Sequence, residues 1–346
     1  MIQRPLIFIP GIYASKLETL DGIPFWPPPI VSFSEDAIKK VIDNLKSSIP
    51  AKATEQVGYD ILIDAINGWG YKQGTNFWTF PYDWRQSNEI SGQMLADFIK
   101  KKNWDSVDII CHSMGGFVAR AAHILGNAPI KRAVYIASPH LGNPMSYFEL
   151  NPEIRTMAQG LSNFLDKLPI ESDLKDLIDG ALVSKWKDLY SNWPSAYELM
   201  PDSFYLDSEA MIFRDGIVPI FKMNETYLNN DWSLPQDMKD KVNKAMDFKN
   251  KLGRTLPENK EDILVIFAND LPTVDRIFYF SNDIGFTNQF PFDSGQHGDT
   301  WVVTKSAMDS MSGIPVIPRS IPISNIHTNL PNDESTINEI KKFLNP

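Results

Sequence analysis

Short apolar runs alternate with amphipathic segments over the first 144 residues. Four apolar runs predict buried strands, at 6–9, 77–80, 107–110 and 131–137. Three segments with helical spacing of apolar residues predict helices between them, at 35–47, 55–67 and 89–101. This alternation predicts a parallel sheet covered by helices on both faces, with ligand sites at the carboxyl ends of its strands. Four loops meet that requirement, at 11–15, 81–85, around Ser113 and at 138–143.

Residues 145–260 follow a different pattern, because they are rich in aromatic residues and methionine, broken by proline and poor in strand signals. They predict a mainly helical cap over the sheet, whose aromatic side chains either line a tunnel for an acyl chain or fill the core beneath the cap. Strand patterns return at 262–268, 275–280 and 296–303, before a final amphipathic helix at 333–344. The expected division is a core formed by 1–144 and 261–346, with 145–260 inserted between them.

Residues 22–31 contain three consecutive prolines, which remove backbone donors and hold the chain extended. We expect no regular structure there. Phe25 and Trp26 are expected to be exposed as part of a lip for an acyl chain. A proline-rich surface loop packed by its own aromatic side chains is the alternative.

Ser113 lies where the strand at 107–110 turns abruptly into a helix. The sequence Cys111-His-Ser-Met-Gly115 is a G-x-S-x-G pattern with cysteine in place of the first glycine. Such a turn exposes the serine, needs small neighbours such as Gly115, and points the free N–H groups of the helix at the same place. Ser113 is therefore a candidate nucleophile, and an ordinary Ser-Gly turn is the alternative.

A nucleophilic serine needs a base and an orienting acid, which in α/β hydrolases follow it in the order serine, acid, histidine. Three of the five histidines come too early in the chain to fit this order: His112, His123 and His140. His297 directly precedes Gly298-Asp299 and would have to follow some earlier acid. His327 fits, because it lies in a loop just before the last helix. Asp299 lies between Ser113 and His327 and follows a late strand, so it is the candidate acid.

Two backbone N–H groups are candidates for binding an oxyanion. In α/β hydrolases the loop after an early central strand supplies one, and the residue after the nucleophile supplies the other. The run at 6–9 ends at Pro10-Gly11 and leads into a loop, so these groups are the N–H of Ile12 and the N–H of Met114. A Pro-Gly turn without a chemical role is the alternative for this loop.

Composition narrows the class of protein. The 346 residues carry a formal net charge of −10 without a basic cluster, which argues against nucleic acid as a partner. The single cysteine excludes an intrachain disulfide and paired-cysteine metal sites, and no metal is expected. The sequence contains no apolar run long enough to span a bilayer and no recognisable signal peptide. A cytoplasmic location is the default expectation, with secretion after removal of a leader as the open alternative.

Several motifs together resemble the lecithin:cholesterol acyltransferase family, in particular its bacterial-type members. Five segments carry the resemblance: Phe8 to Glu18, Gly68-Trp-Gly-Tyr71 with Pro81-Tyr-Asp-Trp-Arg85, the Ser113 turn, Ser138-Pro-His-Leu-Gly142 and His297 to Ser306. The chain departs from the family pattern at Cys111, His140, His297 and Trp301. The resemblance implies an α/β-hydrolase fold, an acyl-ester substrate and no cofactor. It also implies supporting roles in the site for Gly11, Asp83, Trp84, Arg85 and Gly115.

These observations predict a serine hydrolase that cleaves acyl esters, and the resemblance implies that the esters are lipids. Release of the acyl group to water makes a lipase or phospholipase, whereas release to an alcohol makes an acyltransferase. An inactive homologue that binds lipids is a third reading, supported by the departures at Cys111 and His140 and in the acid loop, at His297 and Trp301. Transient contact with a lipid surface is compatible with all three, and the oligomeric state is not predicted.

Overall fold

A computed structural model describes several segments of the chain, and the structural description below applies to these segments. These segments are 4–28, 35–150, 188–208, 211–214, 218–220, 224–228, 234–254, 256–257, 259–275, 277–280, 283–285, 297–308, 316–319 and 326–344. Within them, no helix combines the length and the apolar character that crossing a bilayer requires.

The strands, numbered in chain order, are Leu6–Ile9 (β1), Ser15–Glu18 (β2), Pro24–Trp26 (β3), Lys52–Gln56 (β4), Phe77–Thr79 (β5), Val107–His112 (β6), Ile130–Ile136 (β7), Ile212–Arg214 (β8), Val218–Ile220 (β9), Ile263–Ala268 (β10), Leu271–Pro272 (β11), Ile277–Phe280 (β12), Asp283–Gly285 (β13), His297–Gly298 (β14) and Val316–Arg319 (β15). The α-helices are Glu35–Lys46 (α1), Asp60–Gly68 (α2), Asn88–Lys101 (α3), Gly115–Ile124 (α4), Pro144–Leu150 (α5), Pro194–Glu198 (α6), Ser203–Ser208 (α7), Gln236–Leu252 (α8), Thr304–Met308 (α9) and Glu334–Leu344 (α10).

The predicted parallel sheet is confirmed. Six strands form it in the order β15-β10-β7-β6-β1-β5, and every neighbouring pair runs parallel. Strands β1, β6 and β10 are buried along their whole length, as expected for strands covered on both faces. Because Ile9 pairs with Cys111 and His112 pairs with Ile136, the carboxyl ends of β1, β6 and β7 meet at one edge of the sheet.

Helices cover both faces of this sheet, and successive side chains of β6 belong to two different hydrophobic cores. Ile109 belongs to the core packed by helices α3 and α4, whereas Ile110 belongs to the core packed by α2 and α10. Helices α3 and α4 approach closely, because a Cβ built on Gly92 would lie 2.4 Å from the Cβ of Ala121. The sheet and its helices thereby fix the edge at which the predicted site loops lie.

The helix predicted at 55–67 is wrong at its start. Residues Lys52–Gln56 form strand β4, and the helix begins only at Asp60, after Gly58 with φ of +85°. Strand β4 pairs antiparallel with β2, which occupies part of the predicted loop after Pro10-Gly11. Cross-strand ion pairs add to this pairing, since Lys52 contacts Glu18 and Lys16 contacts Glu55, both at 2.5 Å.

The expectations for residues 22–31 are also wrong in part. Pro24–Trp26 forms strand β3, which completes a three-stranded sheet with β2 and β4. Phe25 and Trp26 are buried. The indole N–H of Trp26 donates to the carbonyl of Tyr13 at 2.7 Å, so this side chain supports the loop after β1 rather than forming an exposed lip.

Between 145 and 260, the described residues are mainly helical but include strands that the sequence did not indicate. Strands β8 and β9 join β12 and β13 in a second sheet of four strands, so the predicted strand at 275–280 lies outside the central sheet. The predicted strand at 296–303 is reduced to β14, which pairs with β11 over two residues. The division of the chain at 144 and 261 stays a prediction.

Candidate active site

Ser113 occupies a tight turn between β6 and α4. Its φ of +53° lies in the left-handed region, and its N–H donates to the carbonyl of Ile136 at 2.9 Å. Position 115 must be glycine-sized, because a Cβ on Gly115 would lie 2.7 Å from the carbonyl oxygens of Ile9 and Pro10. Cys111 points into the core, with its sulfur 3.3 Å from the Val134 carbonyl oxygen. The first position of the motif packs within the sheet, and it therefore accommodates a cysteine side chain in place of glycine.

The three residues predicted as a triad lie in contact. The Oγ of Ser113 is 2.9 Å from Nε2 of His327, and Nδ1 of His327 is 2.6 Å from Oδ2 of Asp299. All three side chains are buried. Because an aspartate oxygen accepts, Nδ1 of a neutral His327 carries the proton, and Nε2 is left to accept from the serine hydroxyl. This arrangement suits proton abstraction from Ser113.

The turn after β14 fixes Asp299. Its Oδ1 accepts from the N–H of Trp301 at 3.0 Å and of Val302 at 2.6 Å, which leaves Oδ2 for His327. The carbonyl of Asp299 accepts from the N–H of His327 at 2.9 Å, where a short 3₁₀ helix, His327–Asn332, begins. Asp299 therefore holds both the ring and the main chain of His327.

Ile12 lines the same cavity as Ser113, and Met114 follows the serine directly in the chain. Among the described residues, neither N–H donates to a protein acceptor, and Met114 immediately precedes helix α4. Gly11 packs against the turn, since a Cβ there would lie 3.1 Å from the Cβ of Ser113. Both N–H groups thus belong to elements that touch Ser113, which is compatible with the predicted oxyanion role.

The loop after β1 is held by the loop after β5. The hydroxyl of Tyr82 donates to the carbonyl of Pro10 at 3.0 Å, and the indole of Trp84 donates to the carbonyl of Ser15 at 3.1 Å. Trp84 thus contacts the end of the loop after β1, and the supporting role that the resemblance implies for it stays a prediction. Asp83 and Arg85 bind helix α1 and the segment after it, and neither lines the cavity beside Ser113. Their implied supporting roles stay predictions.

A cavity of about 400 Å³ opens onto Ser113. Ile12 and Trp301 contribute apolar surface to it, whereas Lys16 and Glu55 contribute a polar wall from strands β2 and β4. The ring of Trp301 meets the His327 ring edge-on, with centroids 5.6 Å apart. Trp301, one of the departures from the family pattern, is therefore part of the cavity wall next to the candidate base.

Two residues at the site were missed by the sequence reasoning. Tyr59 lies against the loop after β1, but the apolar spacing of 55–67 presents it only as a buried helical position. His112 does not fit the chain order expected of a base, although its position next to Ser113 is a signal that it lies in the site.

His140 is buried near Tyr135. Burial, followed by the charge of Arg120, lowers the pKa of His140, which keeps its ring neutral.

Comparison with known proteins agrees with this fold. Residues 88–226 match the family model described as a PGAP1-like alpha/beta domain. The crystal structure of the Tle4–Tli4 complex contains a chain with a TM-score of 0.63 and 15% identity, covering 100% of this chain and 99% of that one. At this level of identity the likeness shows the fold alone.

Two curated proteins of Arabidopsis thaliana are similar in sequence. Phospholipase A(1) LCAT3 is 30% identical over 162 residues, which is 42% of this chain and 32% of that protein. Lecithin-cholesterol acyltransferase-like 4 is 29% identical over 155 residues, or 41% of this chain and 26% of that protein. The matches span about a third or less of these relatives. The chain has an α/β-hydrolase fold and, as its motifs predict, is similar to lecithin:cholesterol acyltransferase-like proteins.

Proposed function

We propose that the chain is a serine hydrolase that cleaves acyl esters through an acyl-enzyme. The observation that carries this proposal is the continuous contact from Ser113 through His327 to Asp299 at the wall of the cavity. A serine hydroxyl is a weak nucleophile at neutral pH, so it needs such a base at hydrogen-bond distance. The similarity to a phospholipase A1 supports an ester, and specifically a lipid, as the substrate.

The proposed reaction has two steps. Ser113 Oγ attacks the acyl carbonyl carbon while its proton passes to Nε2 of His327, and the N–H groups of Ile12 and Met114 bind the oxyanion. As the tetrahedral intermediate collapses, the bond to the leaving alcohol breaks and the alcohol takes the proton from His327. Water then repeats the attack on the acyl-serine, releases the acid and returns the proton to Ser113. An alcohol in place of water would form a new ester.

A lipid surface is a suitable setting for this reaction. Leu20 and Ile23, in the turn between β2 and β3, are 71% and 61% exposed, and Ile49, before β4, is 64% exposed. Strand β2 continues from this apolar end to Lys16 at the cavity. Contact of the apolar end with a lipid surface would place the cavity near the ester, which is our proposal for how the substrate is reached.

Hydrolysis of p-nitrophenyl esters of increasing acyl length tests the function. Ser113→Ala should lose turnover by several orders of magnitude, because the nucleophile is removed. Ser91→Ala removes a buried serine hydroxyl on helix α3, away from the cavity, and should leave turnover unchanged. Equal activity in Ser113→Ala and wild type would overturn the proposal.

Two further measurements separate the alternatives. A fluorophosphonate probe should label wild type but not Ser113→Ala, whereas an inactive lipid-binding protein would not be labelled at all. Product analysis in the presence of excess alcohol distinguishes acyl transfer from hydrolysis, since free acid as the sole product would argue against transfer.

A further inference from the structure

His112 is a buried side chain next to the candidate nucleophile, and the proposed reaction gives it no role. Its Nδ1 lies 2.8 Å from the hydroxyl oxygen of Tyr59. Its Nε2 lies 3.2 Å from the carbonyl oxygen of His327. The rings of His112 and His327 also face each other, with centroids 4.7 Å apart. His112 therefore touches the proposed base without taking part in its proton transfer.

The directions of these hydrogen bonds follow from the chemistry of the partners. The carbonyl of His327 can only accept, so Nε2 of His112 carries the proton, and Nδ1 of the neutral ring accepts. The Tyr59 hydroxyl donates to this nitrogen, while its oxygen accepts from the N–H of Gly11 at 3.0 Å. Burial raises the pKa of Tyr59, so its hydroxyl keeps the proton that it donates.

These hydrogen bonds form a continuous chain between two parts of the site. One end is the N–H of Gly11, which immediately precedes Ile12 in the loop after β1. The other end is the carbonyl of His327. Since the His327 N–H is held by the Asp299 carbonyl, the main chain of this residue is fixed on both sides, by Asp299 and by His112.

We propose that His112 is a positioning residue that couples the oxyanion loop to the base through Tyr59. This inference deepens the proposed function and rests on it. The hydrogen bonds fix the position of the His327 ring relative to Ser113. They also fix the position of the Ile12 N–H relative to the acyl oxygen of the substrate. A displacement of about 1 Å at such a site can cost about 100-fold in rate, so the effect falls on kcat.

Simple packing is the competing explanation for His112, and the hydrogen-bond roles of its two nitrogens allow a test. His112→Asn places an amide oxygen near Nδ1, which keeps an acceptor for Tyr59 but loses the donor to His327. His112→Gln reaches the position of Nε2 and keeps the donor to His327. Tyr59→Phe keeps the edge-on contact with Phe8, at 4.6 Å between centroids, but removes the hydroxyl.

The experiment measures kcat and KM for a p-nitrophenyl ester, together with the rate of labelling by a fluorophosphonate. His112→Asn and Tyr59→Phe should each lower kcat by about 10- to 100-fold with KM within about threefold of wild type, and labelling should slow in parallel. His112→Gln keeps the donor to His327 but loses the acceptor for Tyr59, so its kcat should fall about as far as that of Tyr59→Phe. In the double variant Tyr59→Phe/His112→Asn the losses should not multiply, because both act through one chain of hydrogen bonds.

Tyr71→Phe is the matched control, because it removes the hydroxyl of another buried tyrosine in the same hydrophobic core, away from the cavity. Its kcat should equal that of wild type, and thermal unfolding identifies any variant that does not fold. A folded Tyr59→Phe or His112→Asn with kcat within about twofold of wild type would overturn the proposal, as would losses that multiply. Full activity in Ser113→Ala would instead overturn the proposed function itself.

Discussion

Arg85 and Asp83 form a buried ion pair with two hydrogen bonds, at 2.9 Å from Nε to Oδ1 and 2.7 Å from Nη2 to Oδ2. The guanidinium also donates to the backbone carbonyl of Asn44, near the end of helix α1, at 2.5 Å and to those of Ser47 and Ile49, after the helix, both at 3.1 Å. The N–H of Ala51 donates to Asp83 at 2.8 Å. The pair therefore holds helix α1 and the segment before β4 against the loop after β5, away from the cavity.

Loss of this pair should affect stability more than chemistry. Arg85→Ala leaves the Asp83 carboxylate buried without its charge partner, which should lower the free energy of unfolding by about 3–5 kcal/mol. Lys342→Ala breaks an exposed pair with Glu339 and should cost less than about 1 kcal/mol. Urea unfolding measures both. If kcat per folded molecule also falls in Arg85→Ala, in addition to the free energy of unfolding, the pair has a direct role in the site.

The order of chemical groups along the chain predicted the central part of the site. The apolar runs placed the strand ends, and the order serine, acid, histidine selected Asp299 and His327 from the sequence alone. Ser113 reaches the edge of the sheet because it follows the parallel strand β6, a rule that depends on topology and not on local propensity. Asp299 follows β14, outside the central sheet, and meets His327 at the start of a 3₁₀ helix.

The parts that were missed depend on contacts between distant segments. Residues 52–56 form a strand because β2 is available to pair with it, and helical spacing of apolar positions in one segment does not reveal that partner. Trp26 is buried because its indole reaches the Tyr13 carbonyl. Tyr59 enters the site through hydrogen bonds to Gly11 and His112, which no spacing rule predicts.

Asp299→Asn tests the acid. An amide at this position keeps an oxygen for the turn, where the N–H groups of Trp301 and Val302 donate, but it no longer fixes the tautomer of His327. By analogy with other serine triads, kcat should fall by about 10³- to 10⁴-fold. Steady-state kinetics and a thermal unfolding curve of the same sample provide the test. A loss smaller than about tenfold in a folded variant would mean that another group orients the base.

Gly115→Ala tests the close approach of helix α4 to the end of β1 and the loop after it. The new methyl group would lie 2.7 Å from the carbonyl oxygens of Ile9 and Pro10, so the loop must move away from Ser113. We expect a stability loss of about 1–3 kcal/mol and a lower kcat. Gly68→Ala is the matched control, since its Cβ would meet nothing within 4 Å at the end of α2 and should be neutral or stabilising by about 0.5–1 kcal/mol. Equal activity of the two variants would contradict the expectation.

Glu198, on helix α6, binds the start of helix α3. Its carboxylate accepts from the Ser87 hydroxyl at 2.5 Å and from the backbone and side-chain N–H groups of Asn88 at 2.7 and 2.8 Å. Burial nevertheless raises the pKa of Glu198 to about 7, because it outweighs the lowering by these hydrogen bonds. The pKa in the folded chain thus lies above the ordinary value, and the folded state retains a proton that the unfolded state has lost.

The consequence is a pH dependence of stability. Since the folded state binds the extra proton, the contribution of Glu198 is fully present below its unfolded pKa and is lost as the pH rises through about 7. The free energy of unfolding of wild type should therefore fall between pH 5 and pH 8 relative to that of Glu198→Gln. The fall is up to about 1.4 kcal/mol for each pH unit by which the folded pKa of Glu198 exceeds its unfolded pKa. Urea unfolding at several pH values measures this difference. Glu334→Gln, an exposed glutamate on helix α10, should keep the wild-type dependence. If the free energy of unfolding of wild type instead rises with pH relative to that of Glu198→Gln, the hydrogen bonds from Ser87 and Asn88 outweigh the cost of burying the charge.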